Sequence, residues 1–362
     1  MTLLTFNSKY VVQSTVQVQS SSATLEDDTE ASQTFALTAT QTVLAIYQAN
    51  NDDGVTMDAG GMTNAISVDG TDFANSNDSP DTSNDACRNC MFWIGSLAAG
   101  NHTIKGRVSN ADGTGTVSIN NRILLIYILN GDEFQYIDDA TLQTSSSSTF
   151  ANDPNASVTF TPSGNCVALY LYNVTNVDAA TEDSLGKKIA INVASDFSQA
   201  EIAPNTLNDA DSVITYYANT LGAVATTVIG RFARNGTIST VTISRRQLGV
   251  LLFANDTLLD SITSDVQVTT ASGTLVNDTE ATVNRITTET RELLVVAMGT
   301  KRVTTSSAAS GEAYGIQTNS IDRQLSRSSS SLGGANPTSE STAFAQNLTA
   351  GSHTIQGRFS KN

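Results

Sequence analysis

Gly100–Arg107 reads GNHTIKGR and Gly351–Arg358 reads GSHTIQGR. A looser copy, TTVIGR, ends at Arg231, so the Gly-Arg pairs start at residues 106, 230 and 357, which are 124 and 127 residues apart. Self-similarity at a fixed interval marks repeated structural units. Other segments keep the offset: Thr116–Leu124 (TVSINNRIL) recurs as Thr240–Leu248 (TVTISRRQL), and Thr42–Tyr47 (TVLAIY) lines up with Cys166–Leu171 (CVALYL) and Glu292–Ala297 (ELLVVA). TVQV at Thr15–Val18 corresponds to ATLQ around Leu142 and to DVQV at Asp265–Val268, each followed by a loop rich in Ser or Thr.

Within one copy, short β-branched and apolar runs alternate with polar residues and are bounded by Gly, Asn, Asp and Ser, which is the strand-and-turn pattern. In the first copy this places strands near 15–19, 33–38, 42–48, 65–69, 91–95, 102–108, 115–120 and 122–129. Eight strands in about 124 residues predict an all-β chain of three tandem jelly-roll-type β-sandwich repeats. A seven-stranded immunoglobulin-like sandwich is the runner-up, without the Cys, Trp and Cys pattern of true immunoglobulin domains. The repeats divide the chain into an N-terminal closing or donor strand (1–13), repeat 1 (14–135), repeat 2 (136–262) and repeat 3 (263–362), the last lacking its final strands. All five prolines, Pro80, Pro154, Pro162, Pro204 and Pro337, are expected in loops.

The anchor at Gly100–Arg107 and Gly351–Arg358, with the following Thr116–Leu124 and Thr240–Leu248, resembles the closing strands of C1q/TNF-like jelly-roll modules and of similar modules in phage and viral surface proteins. The resemblance covers about 35 residues of each copy, and the third copy lacks the second half of the motif. It implies a trimer-forming jelly roll used for adhesion or as a coat, with three linked copies imitating such a trimer within one chain.

The net charge of -16 argues against binding nucleic acid, which draws its affinity from clustered Lys and Arg. The longest apolar run, Ile123–Leu129, suits a buried strand and is far too short for a membrane span. The start, MTLLTFNSKYVV, lacks the basic and apolar regions of a secretory signal, which points to a mature end or to another exit such as lysis. Cys87, Cys90 and Cys166 are too few for a disulfide framework.

The two histidines, His102 and His353, occupy one position of two copies, where Thr226 stands in the other, and a polar cap at a strand start accounts for them. Cys87 and Cys90 supply half of a zinc site without the other half. Asp69, Asp72, Asn75 and Asn77 offer hard oxygen ligands for calcium, but their spacing departs from the EF-hand loop and solvated loop acids are favoured. No catalytic residue, metal site or cofactor is therefore expected. A single Trp, Trp93, leaves little to stack a sugar ring. The Asn-x-Ser/Thr triplets are no more numerous than chance gives, because Ser and Thr make up about a quarter of the chain.

These features point to a non-enzymatic structural assembly protein, displayed on a virion as fibre, turret or capsid decoration. An extracellular filament or surface-layer subunit joined by donor strands is one alternative. The other is an adhesin or carbohydrate-binding module using the loops at 50–90, 176–212 and 300–340. Expected partners are copies of the chain itself, other virion or cell-surface proteins, or host glycans. The assembly residues would be Leu3, Leu4 and Phe6, inserted as a strand, together with Ile355 and Phe359 of the open third copy. Leu3–Asn7 resemble the closing Leu251–Asn255, and residues 2–7 are expected to complete a third-type repeat in a neighbouring subunit more than in their own chain, with intramolecular closure, a frayed end or a longer array as the alternatives.

Alternation places Ile104, Val228 and Ile355 on the inward face of equivalent strands. Ile104→Ala should cost about 2 to 4 kcal/mol in a denaturant melt; an unchanged melt would overturn this placement of the core.

Overall fold

The computed structural model describes residues 2–4, 8–51, 61–78, 87–111, 113–129, 133–176, 186–194, 196–202, 211–234, 240–254, 260–261, 268, 272, 274–288, 290–302, 312–328 and 337–361. These form strands and connections, with no helix among them. After β1 (Thr2–Leu4), a first sandwich contains β2 (Ser8–Ser14), β3 (Val18–Ser20), β4 (Glu26–Leu37), β5 (Gln41–Asn51), β6 (Met62–Val68), β7 (Thr71–Asp78), β8 (Cys87–Leu97), β9 (Gly100–Asn110), β10 (Val117–Ile119) and β11 (Asn121–Leu129). A second contains β12 (Glu133–Asp139), β13 (Gln143–Ser145), β14 (Ala151–Phe160), β15 (Cys166–Asn176), β16 (Lys187–Asn192), β17 (Asp196–Ile202), β18 (Asp211–Leu221), β19 (Thr226–Arg234), β20 (Val241–Ile243) and β21 (Arg245–Ala254). A third contains β22 (Asp260–Ser261), β23 (Val276–Thr287), β24 (Arg291–Arg302), β25 (Glu312–Thr318), β26 (Ile321–Ser328), β27 (Pro337–Leu348) and β28 (Gly351–Lys361).

One order of neighbours recurs. The outer sheets run β4-β9-β6-β7, β14-β19-β16-β17 and β23-β28-β25-β26; the inner sheets run β2-β11-β5-β8, β12-β21-β15-β18 and β22-β1-β24-β27. All pairings are antiparallel, and a single bridge, Ile202 to Thr338, joins the second outer sheet to the third inner one. Contacts pass round a ring: β7 touches β18, β17 touches β27, and β26 touches β8. The edge of each sandwich thus abuts the inner sheet of the next.

This arrangement explains why the central strands are apolar at every position. On β5, Val43, Ala45 and Tyr47 face the core of their own sandwich, while Leu44 and Ile46 belong to a second cluster that also contains Leu169, Leu171 and Phe253 of the neighbour. On β11, Leu124 and Ile126 face inward and Leu125 and Tyr127 face the neighbour. A strand covered on both faces reads as a continuous apolar run. Ile104, Val228 and Ile355 are fully buried.

The Gly-Arg motif has a packing cause. A Cβ on Gly106 would lie 2.4 Å from the Tyr47 ring, one on Gly230 2.4 Å from Tyr172, and one on Gly357 2.6 Å from the Tyr314 hydroxyl. Only glycine admits a ring so close to the strand backbone. The adjacent Arg107, Arg231 and Arg358 each donate from Nη2 to the carbonyl just before β4, β14 or β23: Leu25, Phe150 and Leu275. The Ser/Thr-rich loops serve a tight turn, in which Ser22, Ser147 and Ser272 accept from the amides of Thr24, Thr149 and Thr274 at 3.0–3.1 Å.

Beneath the first two sheets lies a buried ion pair. Arg122 Nε stands 2.9 Å from Asp28 Oδ2, the Tyr47 hydroxyl donates to the same oxygen at 2.6 Å, and neither charged side chain is exposed. Arg122 also donates to the carbonyls of Val16 and Ile119 at 2.7 and 2.6 Å. The second sandwich repeats this with Arg246, Asp153 and Tyr172 at 2.8 and 2.9 Å. Burial pushes both Asp carboxyls up, against the opposing pull of the guanidinium and the tyrosine.

Several expectations change. The stretch 1–13 is divided: β1 joins the third sandwich and β2 pairs with β11 in the first. β12 begins at Glu133 and pairs with β21, so the second sandwich starts slightly earlier than 136. β7 is a full strand inside the stretch read as an acidic loop, because Asp69 and Gly70 have φ of 50° and 87° and make a two-residue hairpin turn. Pro154 and Pro337 lie in strands rather than loops: Pro154 falls within the register shift of β14, and Pro337 is the first residue of β27. Both positions tolerate a missing N–H.

Arg122→Met should cost about 3 to 5 kcal/mol in chemical denaturation, because Asp28 stays buried without a counter-charge. Replacing Asp28, Tyr47 and Arg122 together with Leu, Phe and Met should restore most of that loss.

Candidate functional site

β1 lies between β24 and β22. Thr2, Leu3 and Leu4 face Val296, Val295 and Leu294 on one side, and Thr2 and Leu3 face Ser261 and Asp260 on the other. β11 holds the same place in the first sandwich, with Leu125 between Ile46 and Val11. The expected insertion into a neighbouring subunit is corrected here: the strand closes the third sandwich of its own chain. The cause is connectivity. β11 leads into β12, the first inner strand of the next sandwich, and β21 leads into β22; β1 leads into β2 in the same way, so each closing strand opens the following sandwich. Phe6 lies outside the described residues. Ile355 is buried opposite Val283, and Phe359 is half-buried between Val276 and Tyr314. Both sit in the outer sheet, whereas Leu3 and Leu4 lie in the inner one.

The proposed calcium ligands are dispersed along a hairpin. Asp69 sits in the turn and accepts from the Thr103 amide at 2.8 Å and from His102 Nδ1 at 2.7 Å, while Asp72 on β7 lies 3.5 Å from Arg107. Asn75 follows on β7, and Asn77 is one residue from its end. Among the described residues no three Asp, Glu, His or Cys gather as metal ligands.

The two histidines cap strands, with different partners at Nδ1. His102 Nε2 reaches the Ala98 carbonyl at 2.8 Å and Nδ1 reaches Asp69, so both partners are acceptors and both nitrogens must carry hydrogen. The Asp69 hydrogen bond and the Ala98 carbonyl raise the imidazole's pKa. Burial raises Asp69, but the bonds from His102 and Thr103 outweigh it and hold the carboxyl below its usual range. In the third sandwich Asn319 replaces the aspartate and faces His353 Nδ1 at 3.0 Å, while Nε2 meets the Thr349 carbonyl at 2.8 Å. In the second sandwich Ala194 and Thr226 take the two places, and Thr226 caps the Val224 carbonyl at 3.2 Å.

Beside the Asp69 turn is a depression of about 390 Å³ lined by Asp27, Ser67, Asp69, Thr103, Lys105 and Arg107. Lys105 Nζ is 2.5 Å from Asp27, and Arg107 is 3.3 Å from it. Arg107 belongs to all three sandwiches, but Asp27 becomes Asn152 and Asn277, and Lys105 becomes Ile229 and Gln356. The charged set is peculiar to the first copy. The sequence reading passed over Lys105 and Asp27, although aligning the three copies exposes the difference. Trp93 is spent in the core against Phe73, with ring centroids 5.7 Å apart. Cys90 and Cys166 are in no disulfide, and burial pushes the Cys166 thiol up.

No family model matches the chain, and no curated protein does. Solved structures give weak likenesses. PNGF-II is 10% identical, with 89% of this chain and 96% of that one covered at a TM-score of 0.27. The complex of the plant peptide RALF23 with FER and LLG2 gives 7%, 70% and 90% at 0.22, and the major capsid protein P2 of bacteriophage PM2 gives 8%, 69% and 100% at 0.21. Likenesses this weak carry none of those proteins' roles to this chain.

Because His102 is raised and Asp69 lowered, their pair stabilises fully between about pH 4 and 6.5 and weakens outside that window, as His102 loses its proton above or Asp69 gains one below. Asp69→Asn, copying Asn319, should abolish this dependence. The gap in thermal midpoint between parent and variant should be widest near pH 5 to 6 and shrink toward pH 9.

Proposed function

We propose that the chain is a non-enzymatic structural subunit displayed on a virion or cell exterior, in which three sandwiches act as one trimer-like block. The observation that carries this reading is the ring of inner-sheet contacts, with strands such as β5 and β11 buried on both faces. A module evolved to bind alone keeps one sheet face in water, whereas these faces are committed to neighbours. The jelly-roll order of the sheets and the linked copies support the C1q/TNF-like and virion reading. The side chains met at the motif positions are spent on caps, packing and ion pairs, which supports a role without catalysis. No helix among the described residues is long and apolar enough to cross a membrane.

A second reading, glycan binding, is favoured by the charged depression found in the first copy alone. Sedimentation, electron microscopy and a glycan array separate the two. The structural reading expects a compact three-lobed particle that joins a larger shell or fibre in native material. A dispersed protein with a specific sugar hit, lost on Lys105→Ile with Asp69→Ala, would sink it in favour of binding.

A further inference from the structure

The three seams of the ring are held in different ways. Between the first and second sandwiches there is a latch. Ala74 takes a φ of 53°, a left-handed conformation that strains any residue with a side chain, within the register shift of the β6–β7 hairpin. Its amide donates to Asp138 Oδ2 on β12 at 3.1 Å, and Arg245 holds the two oxygens of that carboxylate at 2.9 and 2.8 Å. Beside it the Tyr136 ring stands edge-on to Phe92, and a Cβ on Gly249 would lie 2.7 Å from Phe92 and Ile94. Between the second and third sandwiches, β17 and β27 share the backbone bridge from Ile202 to Thr338.

Between the third and first sandwiches β26 meets β8, and the inner sheet of the first carries other residues at the latch positions. By register, Val11, Gln13, Asn121 and Leu125 stand where Tyr136, Asp138, Arg245 and Gly249 stand. Val11 is 41% exposed and Gln13 faces solvent. On the same face of the sheet, beyond Leu44 and Ile46 on β5, Gln48 and Asn50 are buried, yet neither side-chain amide has a hydrogen-bond partner. In the second sandwich the equivalent Asn173 donates to Gln247 at 2.7 Å, whereas in the first Ile123 replaces that glutamine. A buried amide without a partner raises the energy of the closed state, and water satisfies it once the faces part.

We infer that the ring opens between its third and first sandwiches, while the first two stay latched and move as one body. The inference rests on the closed-block reading and adds its moving part. Parting the first two sandwiches breaks a charge-assisted cluster and strips Phe92 of its packing; parting the second and third breaks a backbone pair. Parting the third and first lets water reach two amides that closure leaves unmet. The third sandwich therefore swings about its contact with the second.

The test uses the full chain with Cys87, Cys90 and Cys166 replaced by Ser and spin labels carried, two at a time, at Thr34, Thr159 and Asn284. These are equivalent exposed positions of the three outer sheets. Thermal melts check that each labelled chain is folded. Double electron–electron resonance should give one narrow distance between positions 34 and 159, and a broad or two-peaked distribution between 34 and 284. Gln48→Met with Asn50→Thr, which copies Met298 and Thr300 of the third sandwich, should shrink the open fraction about fivefold and raise the thermal midpoint by about 2 °C or more. Three equally narrow distributions, or an open fraction unchanged in the double variant, would overturn the inference and leave the closed block standing. Broad distributions for all three pairs would overturn the closed-block reading itself, and the inference with it.

Discussion

A carboxylate held between two sheets must be neutralised where it stands, and the geometry of the first two sandwiches is organised by that need. Asp28 and Asp153 sit at register shifts that turn their side chains inward, and each is met by a guanidinium from the last strand of its sandwich and a phenol from β5 or β15. One cluster therefore ties β4, β5 and β11 together across both sheets, and β14, β15 and β21 likewise. A buried pair of this kind adds little net stability against an apolar replacement, but it penalises any slipped register that would strand the acid. The tyrosine that completes the cluster lies on the glycine of the Gly-Arg motif, so the conspicuous repeat in the sequence and the buried pair belong to one packing unit.

The third sandwich keeps the acid and the glycine and changes the rest. Ala297 stands where Tyr47 and Tyr172 stand, and Tyr314, from the neighbouring strand of the other sheet, brings its hydroxyl to Gly357 instead. Burial pushes that phenol far above its ordinary range, with Asp278 adding to the shift. The same space is filled from a different direction.

Much of the architecture was legible because it rests on residue types that few environments demand. Glycine under a ring, arginine on a carbonyl and the aliphatic run Ile123–Leu129 survive in each copy where they occur, and their spacing gives the sandwiches. β2 and β7 were not legible. β7 reads TDFANSND, and its polar residues look like a loop until the Asp69-Gly70 turn is recognised as a hairpin. The buried acids were missed for a related reason: Asp28, Asp153 and Asp278 lie in polar stretches where an inward-facing residue looks like its solvated neighbours. At the candidate sites, the histidines were read correctly as caps, but the partners of their Nδ1 atoms, Asp69 and Asn319, lie more than thirty residues away in sequence. The closing role of β1 was legible in its likeness to Leu251–Asn255, but its closure within its own chain depends on the ring as a whole.

The pairing of Thr2–Leu4 with Leu294–Val296 links nearly the whole length of the chain. During synthesis β1 cannot find its partner until β24 has emerged, after two complete sandwiches have been made. Contacts of such separation form late and slowly. Until then the first sandwich can fold on β2 while the residues before it trail free, and the neighbour-facing sides of the first inner sheets stay uncovered. Ring closure is thus a terminal checkpoint of biogenesis, and a ribosome-stalled chain ending before β24 would carry two finished sandwiches with exposed flanks.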